Sequence, residues 1–239
     1  MKPLISETQD IDALQEIGRV SVQIVHDLKN QLNGLKLYAT FLRKRMEKNN
    51  RPPDEQETIG KLISGLERAA ADMSTLVRFG RPLELRRQPR VDLVKIMTDI
   101  ATSSDLGPTG LRLDSAVESL EGEFDTAFLA EALKTVTTGA LSLRRAEEGD
   151  LLSVDLRREE TAGAGAGATA AGATAELWAV IEWRGLRLLD GVDPFHSFIG
   201  SDGLRMSLAA KIIAAHGGEA SAVDGSLRVR LPMKSSDNE

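Results

Sequence analysis

Apolar residues recur at alternating steps of three and four between residues 10 and 48, which is the spacing of a heptad seam along one helix. The seam positions, two of them small or polar, are Ile11, Leu14, Gly18, Ser21, Val25, Leu28, Leu32, Leu35, Ala39, Leu42 and Met46. Pro52 and Pro53 follow, and proline cannot continue a helix because it lacks the backbone N–H and restricts the preceding residue. The pattern therefore predicts one long amphipathic helix that ends near residue 49.

A second seam with the same spacing runs from residue 54 to residue 79. Its members are Ile59, Leu62, Leu66, Ala69, Met73 and Leu76. Two antiparallel helices of this kind would leave much of their apolar stripes in water. We therefore predict that the hairpin pairs with a second copy to form a four-helix bundle in a homodimer. The alternative is a hairpin that packs against the rest of its own chain.

The remainder of the chain mixes helical and strand patterns, which predicts an α+β sandwich. Helices are predicted at residues 91–101, 125–144 and 204–216, and strands at residues 111–113, 117–120, 151–156, 177–183, 219–223 and 227–231. The Gly/Ala-rich residues 161–173 are typical of a flexible loop. We therefore divide the chain into an all-α helical hairpin at residues 1–80, a linker at 81–90, the α+β domain at 91–234 and a polar tail at 235–239.

Composition narrows the classes of function. The chain has 239 residues, no cysteine and three histidines, so disulfides and thiolate sites are excluded and we assign no metal ligands. A net charge of −6 argues against a general nucleic-acid binder. No apolar run approaches the roughly 20 residues that span a bilayer, and the N-terminus lacks the layout of a signal peptide. We expect a cytoplasmic protein that binds neither nucleic acid nor a membrane.

His26 falls directly after a seam position, on a polar flank of the first helix that also carries Asn30 and Asn33. A lone histidine beside a seam is most often an ordinary surface residue. Here, however, the run from His26 to Leu32, His-Asp-Leu-Lys-Asn-Gln-Leu, resembles the H-box of sensor histidine kinases and their relatives. The resemblance implies that His26 accepts a phosphoryl group, that Asp27 polarises its ring and that Asn30 positions water or an incoming receiver aspartate. A neutral imidazole is a competent nucleophile for this role.

The last third of the chain resembles the ATP-binding domain that follows the histidine hairpin in the same kinases. Residues 193–198, Asp-Pro-Phe-His-Ser-Phe, are similar to the Phe-rich box. Residues 200–204 and the helix after them, which ends in His-Gly-Gly at 216–218, are similar to the second glycine box. With the hairpin, the resemblance covers nearly the whole chain and implies the fold of the kinase ATPase domain for residues 91–234.

The chain departs from the family at the residues that would hold ATP. Thr135 and Gly139 stand where the family has two asparagines, one of which holds Mg²⁺. In the second glycine box Gly203 is present, but Arg205 replaces a glycine and would crowd backbone that should cradle phosphate. The first glycine box is altered, and hardly any chain remains for an ATP lid. We therefore predict a degenerate nucleotide site near these residues and no cofactor bound by this chain.

These observations lead to one main hypothesis and two alternatives. The main hypothesis is a histidine phosphotransferase that shuttles a phosphoryl group between the aspartates of response-regulator receiver domains through His26. The receivers would supply Mg²⁺, and Lys29, Asn33 and Lys36 are candidate docking contacts. The first alternative is an ATP-dependent sensor kinase with an atypical nucleotide site. The second is a non-catalytic dimeric adaptor or inhibitor of two-component signalling.

Overall fold

The computed structural model describes residues 5–48, 52–103, 111–144, 151–162, 175–188 and 192–233. Within these ranges it describes the side chains from residue 24 onward, except that of His26. The chain forms two compact units, Met1–Pro82 and Leu83–Glu239. None of the helices in the described ranges combines the length and the apolar character that crossing a bilayer requires.

The first unit contains two long helices at the positions that the seams predict. Helix α1 spans Ile5–Lys48 and helix α2 spans Pro53–Gly80. Helix α2 begins with proline, whose missing N–H costs nothing in a first turn, and carries Asp54 and Glu55 near its positive end. The two helices pack on each other, and Lys36 of α1 forms an ion pair with Glu67 of α2 at 2.8 Å.

The seam of α1 divides into a covered side and an exposed side. Ala39 is buried with Ile59 and Ile63 of α2, and Met46 and Leu66 pack against them. In contrast, Leu35 retains 53% of its accessible surface. Other large apolar residues of the hairpin that stay exposed are Ile24, Leu28, Leu37, Tyr38, Phe41, Leu42, Leu62 and Leu76. In the part of α1 whose side chains are described, α2 therefore covers some of the apolar stripe and leaves the rest exposed.

The second unit is an α+β sandwich, as predicted. In chain order it contains β1 (Gln88–Asp92), α3 (Leu93–Thr102), β2 (Leu111–Ser115), β3 (Glu121–Phe124), α4 (Thr126–Ser142), β4 (Leu152–Ala162), β5 (Ala175–Arg184), α5 (Gly200–Ala215), β6 (Glu219–Val223) and β7 (Ser226–Met233). Five strands form a mixed sheet in the order β2-β4-β5-β7-β6, in which only β2 and β4 run parallel. Strands β1 and β3 form a separate antiparallel pair.

The core lies between one face of the five-stranded sheet and the helices α4 and α5. Alternate strand residues such as Leu156, Trp183 and Val229 are fully buried, as the period-2 pattern requires. They share this core with Leu133 of α4 and Ile213 of α5. The Trp183 indole donates to the Thr137 hydroxyl of α4 at 3.1 Å, so its one polar atom is satisfied inside the core.

The structure corrects four boundaries. The second unit begins at Leu83 and residues 88–92 form β1, so only part of the predicted linker at 81–90 connects the units. Helix α3 starts at Leu93 because the Asp92 carboxylate accepts the Val94 N–H at 3.0 Å and caps it. The strand predicted at 117–120 lies instead at Glu121–Phe124. Of the predicted loop at 161–173, Thr161 and Ala162 belong to β4, and residues 163–173 lie outside the described residues.

Candidate functional site

His26, Asp27 and Asn30 all lie on helix α1, in the first unit. Asp27 and Asn30 are exposed, and the side chain of His26 lies outside the described ones. Because α1 is an unbroken helix, positions 26, 30 and 33 share one face. The same face continues through Leu37 and Phe41, which retain 55% and 60% of their surface. We call the positions 26, 30, 33, 37 and 41 the histidine face of α1.

Of the three predicted docking residues, Asn33 belongs to the histidine face, whereas Lys29 and Lys36 do not. Lys36 is engaged by Glu67 of α2 and lowers the pKa of that carboxyl through a hydrogen bond and its charge. The sequence analysis missed Leu37 and Phe41. The signal that could have revealed them is a pair of large apolar residues one helical turn apart and outside the seam.

A cavity of about 180 Å³ lies between α4 and α5. Three of the four residues predicted for the nucleotide site, Thr135, Gly139 and Arg205, line it. Its other lining residues are Glu131, Lys134, Thr138, Asp202 and Met206. Gly203 faces elsewhere: a Cβ at this position would stand 2.6 Å from the carbonyl oxygen of Ser197. The glycine is therefore needed for close packing of α5 against the preceding turn.

The residues of this cavity do not fit Mg-ATP. A Cβ at Gly139 would lie 2.7 Å from Sδ of Met206, so the methionine occupies the space that a longer side chain on α4 would need. The hydroxyls of Thr135 and Thr138 donate to carbonyls of their own helix, each at 2.9 Å. No group of three or more metal-ligating side chains occurs among the described residues. The volume is also below the roughly 300 to 1,000 Å³ of typical ligand pockets.

We expect Mg-ATP to bind this chain with a Kd no tighter than about 1 mM, which corresponds to only about 4 kcal/mol. The reason is that Thr135 and Gly139 replace the two asparagines of the family pattern and that Met206 lies beside Gly139. Isothermal titration calorimetry with Mg-ATP and with magnesium-free ATP checks this. A micromolar affinity that depends on magnesium would contradict the degenerate site.

A buried histidine joins the ends of α4 and α5 that lie far from this cavity. The Nδ1 atom of His216 lies 2.8 Å from the Ile212 carbonyl oxygen, and its Nε2 accepts the Asp125 N–H at 3.1 Å. Asp125 caps α4 through the Phe128 N–H at 3.1 Å and accepts the Arg86 N–H at 2.7 Å. Burial lowers the pKa of His216 because it removes water from the charged form of the ring. The uncharged ring satisfies both contacts. The sequence analysis found His216 only as the end of a helix.

On the other face of the sheet, one carboxylate holds three arginines. Glu182 of β5 is buried and accepts from Arg157 at 2.7 Å, from Arg184 at 3.2 Å and from Arg228 at 3.2 Å. The Ser226 hydroxyl adds a fourth donor at 3.1 Å. Burial by itself would raise the pKa of Glu182, but these four hydrogen bonds outweigh it and lower the pKa to about 2.

Several solved structures are similar to this chain. Histidine kinase AdeS of Acinetobacter baumannii matches with a TM-score of 0.52 and 16% identity, over 84% of this chain and 96% of that one. Full-length ShkA in complex with AMPPNP matches with a TM-score of 0.58 and 16% identity, over 89% of this chain and 45% of that one. Histidine kinase ThkA in complex with response regulator TrrA matches with a TM-score of 0.55 and 12% identity, over 100% of this chain and 70% of that one.

The chain has the fold of histidine kinases. This agrees with the resemblance of its motifs to those of the same kinases. No protein-family model matches the sequence, and no curated protein sequence matches it either. At identities this low the likeness establishes the fold alone.

Proposed function

We propose that the protein is a dimeric histidine phosphotransferase of two-component signalling. It would accept a phosphoryl group on His26 from the aspartyl phosphate of one receiver domain and pass it to the aspartate of another. The observation that carries this proposal is the α4–α5 cavity, where Gly139 offers no metal-binding side chain and Met206 lies where such a side chain would extend. A histidine motif on a kinase fold without a fitting ATP site favours an external phosphoryl donor.

The transfer needs little chemistry from this chain. An imidazole nitrogen attacks the phosphorus, and the bond from phosphorus to the aspartate oxygen breaks as the carboxylate leaves with the electron pair. The reverse step delivers the group to the second receiver. The receiver supplies Mg²⁺ and its acidic pocket, and the chain itself contributes an oriented nucleophile and a surface for docking.

We propose the histidine face of α1 as the docking surface for receivers. Leu37 and Phe41 offer apolar contact area about 16 and 22 Å from His26 along the helix, within the footprint of one small domain. The structurally similar ThkA was solved with a response regulator, which supports a receiver as the partner of this fold.

We propose that a second copy of the chain covers the remaining stripe of α1. Ile24, Leu28, Leu35 and Leu42 recur at steps of four and seven and stay exposed in the single chain, as does Leu62 of α2. A continuous apolar stripe of this length is unusual on a monomer and typical of a helix-bundle interface.

Leu35→Lys is expected to convert the dimer to a monomer, because it places a charge in the proposed interface. Leu37→Lys is the matched control, since Leu37 is equally exposed, at 55% against 53%, but lies on the histidine face. Light scattering at tens of micromolar should show a dimer for the wild type and for Leu37→Lys only. A monomeric wild type would remove the four-helix bundle, and a monomeric Leu37→Lys protein would place the interface elsewhere.

A radiolabel chase from a phosphorylated receiver through this protein to a second receiver tests the function. His26→Ala should abolish labelling by the phosphorylated receiver and leave the dimer intact, because position 26 flanks the seam. Asn30→Ala should retain labelling and change the rate of onward transfer by about one to two powers of ten, or roughly 1.4 to 2.8 kcal/mol in the barrier. Leu37→Lys should slow both transfers without loss of the dimer.

Three outcomes separate the alternatives. Self-labelling with Mg-ATP alone would support the ATP-dependent kinase, and undiminished transfer through His26→Ala would exclude His26 as the acceptor. Stable binding of a receiver without any labelling of wild type would support the non-catalytic adaptor.

A further inference from the structure

A second histidine of this chain is held in a reactive arrangement, on the turn that precedes α5. The Nδ1 atom of His196 lies 2.7 Å from Oδ2 of Asp193, and the His196 N–H donates to the Asp193 carbonyl at 3.1 Å. The other carboxylate oxygen of Asp193 accepts the Phe195 N–H at 2.9 Å. Both oxygens of the carboxylate are therefore used, and together they orient the imidazole.

The turn that carries His196 is anchored on both sides. Phe195 is buried in the domain core, which fixes the residue directly before the histidine. Ser197, directly after it, has its carbonyl against Gly203 and receives the Ser207 hydroxyl of α5 at 3.2 Å. An anchored backbone with a hydrogen-bonded ring loses little orientational freedom when it reacts.

The Nε2 atom of His196 is available to react. With the Nδ1 proton held by Asp193, the lone pair of the ring resides on Nε2, for which the described residues provide no partner. The side chain of His196 is 74% exposed. Phe198 and Ile199, which follow two and three residues later in the chain, are also exposed, at 57% and 83% of their surface, and offer apolar area to a protein donor.

We propose that Nε2 of His196 is a second phosphoryl-accepting site of this protein, for donors of the acyl phosphate class. The alternative role of an oriented imidazole, binding a metal ion, lacks support because the described residues contain no cluster of three or more metal-ligating side chains. Asp193 acts as a positioning residue and as a counter-charge to the ring.

The step balances without a further reactant. Nε2 attacks the phosphorus, a P–N bond forms, and the P–O bond to the donor's carboxylate breaks as that carboxylate leaves with the electron pair. The Nδ1 proton stays between the ring and Asp193, so the positive charge that develops on the phosphorylated ring faces a carboxylate at 2.7 Å. This site is independent of His26, so the two proposals succeed or fail separately.

The chain contains only three histidines, which makes the test clean. Potassium phosphoramidate serves as the probe, because it transfers a phosphoryl group to exposed imidazoles and releases ammonia. On the His26→Ala protein, intact mass spectrometry should show one added phosphoryl group, mapped by peptide sequencing to His196. His216, which is buried with both ring nitrogens bonded, is the internal control and should stay unmodified.

Asp193→Asn distinguishes an activated ring from an ordinary exposed one. It keeps an oxygen for the Phe195 N–H but removes the counter-charge, so labelling of His196 should slow roughly tenfold or more. His196→Gln should abolish the label, and its circular dichroism should match that of wild type. Labelling of His196 at the rate of free N-acetylhistidine, or at an equal rate in Asp193→Asn, would overturn the proposal.

A final experiment tests whether phosphorylated His196 donates its phosphoryl group. The His26→Ala protein, labelled at His196 and freed of phosphoramidate, should pass the label to an unphosphorylated receiver with Mg²⁺. Loss of the label only to water would overturn a role in phosphoryl transfer. If phosphorylated receivers label neither histidine but acetyl phosphate labels His196 in an Asp193-dependent manner, the phosphotransferase function fails while the second acceptor stands.

Discussion

Glu182→Gln is expected to lower the free energy of unfolding of the second unit by about 3 kcal/mol at neutral pH. In the folded protein the pKa of Glu182 is about 2, against an ordinary value of 4.5, because four hydrogen bonds outweigh the effect of its burial. The amide loses this stabilisation and leaves Arg157, Arg184 and Arg228 close together without the carboxylate that holds them. Of these, Arg228 depends most on Glu182, because Arg184 also pairs with Asp155 at 2.9 Å and Arg157 also lies 3.9 Å from Glu159.

The pH dependence of the Glu182→Gln effect follows from the same difference between the folded pKa and the ordinary pKa of this carboxyl. A carboxyl whose pKa is lowered by folding contributes stability that is complete above its unfolded pKa and is lost as pH falls toward the folded pKa. The contribution of Glu182 should therefore be complete above about pH 5 and disappear between about pH 5 and 2. Urea unfolding at pH 7 and pH 3.5 should show a large difference between wild type and variant that shrinks at the lower pH.

Glu176→Gln is the matched control for this measurement. Glu176 lies on the same strand and the same face of the sheet as Glu182, but its side chain is exposed. The control should change the free energy of unfolding by no more than about 0.5 kcal/mol. Equal effects of the two substitutions would mean that the arginine cluster does not stabilise the fold.

His216→Ala is expected to lower the free energy of unfolding by about 2 to 4 kcal/mol. The substitution removes a fully buried ring that packs at 6.0 Å from the Phe124 ring, and it leaves the Asp125 N–H without its partner. The Ile212 carbonyl loses the ring and keeps only the backbone N–H of residue 216. The loss should extend to the segment before β1, because Arg86 and Arg87 are bonded to Asp125 and to the Ala215 carbonyl beside this histidine.

The effect of His216→Ala on stability should depend on pH in a different range from that of Glu182→Gln. Burial, the largest cause, lowers the pKa of His216 below 6.5, and the nearby Arg87 charge acts in the same direction. The Ile212 carbonyl and the Asp125 carboxylate oppose it without cancelling it. The stability of the neutral ring is therefore complete above about pH 6.5 and is lost as pH falls below that value. The difference between wild type and His216→Ala should narrow from pH 7.5 toward pH 5.

His196→Gln is the control for His216, since it removes an exposed histidine of the same domain. It should change stability by less than about 1 kcal/mol. Hydrogen exchange of the Asp125 and Phe128 amides offers a local readout and should accelerate in His216→Ala only. Unchanged protection of the Asp125 amide would show that the histidine does not hold this junction.

The sequence alone was sufficient to place the long helices, because their signals are local. The seam from Ile11 to Met46 repeats with the period of a helix, and Pro52 and Pro53 stop it whatever the rest of the chain does. The same holds for the alternating strands of the second unit and for helix α5, which ends before Gly217. The run around His26 was visible without coordinates because its residues are adjacent, and its role stays a prediction.

Only the tertiary structure decided which of these residues are covered and by what. Ala39 and Leu35 occupy the same predicted seam, yet α2 buries the first and leaves the second in water. The repeat could not distinguish them because the covering residues lie about twenty or more positions away in the chain. The sequence predicted Lys36 as a candidate docking contact, and only the fold brings Glu67 within 2.8 Å of it.

Contacts between residues far apart in sequence also form the α4–α5 cavity and the buried polar clusters around Glu182 and His216. Gly139 is 67 positions from Met206, and no local pattern says that the methionine lies against it. The low pKa of Glu182 needs arginines from three strands that meet only when the sheet forms. Short-range periodicity thus determined the elements, whereas the chemistry of each site was decided by contacts between residues far apart in sequence, which arise only on folding.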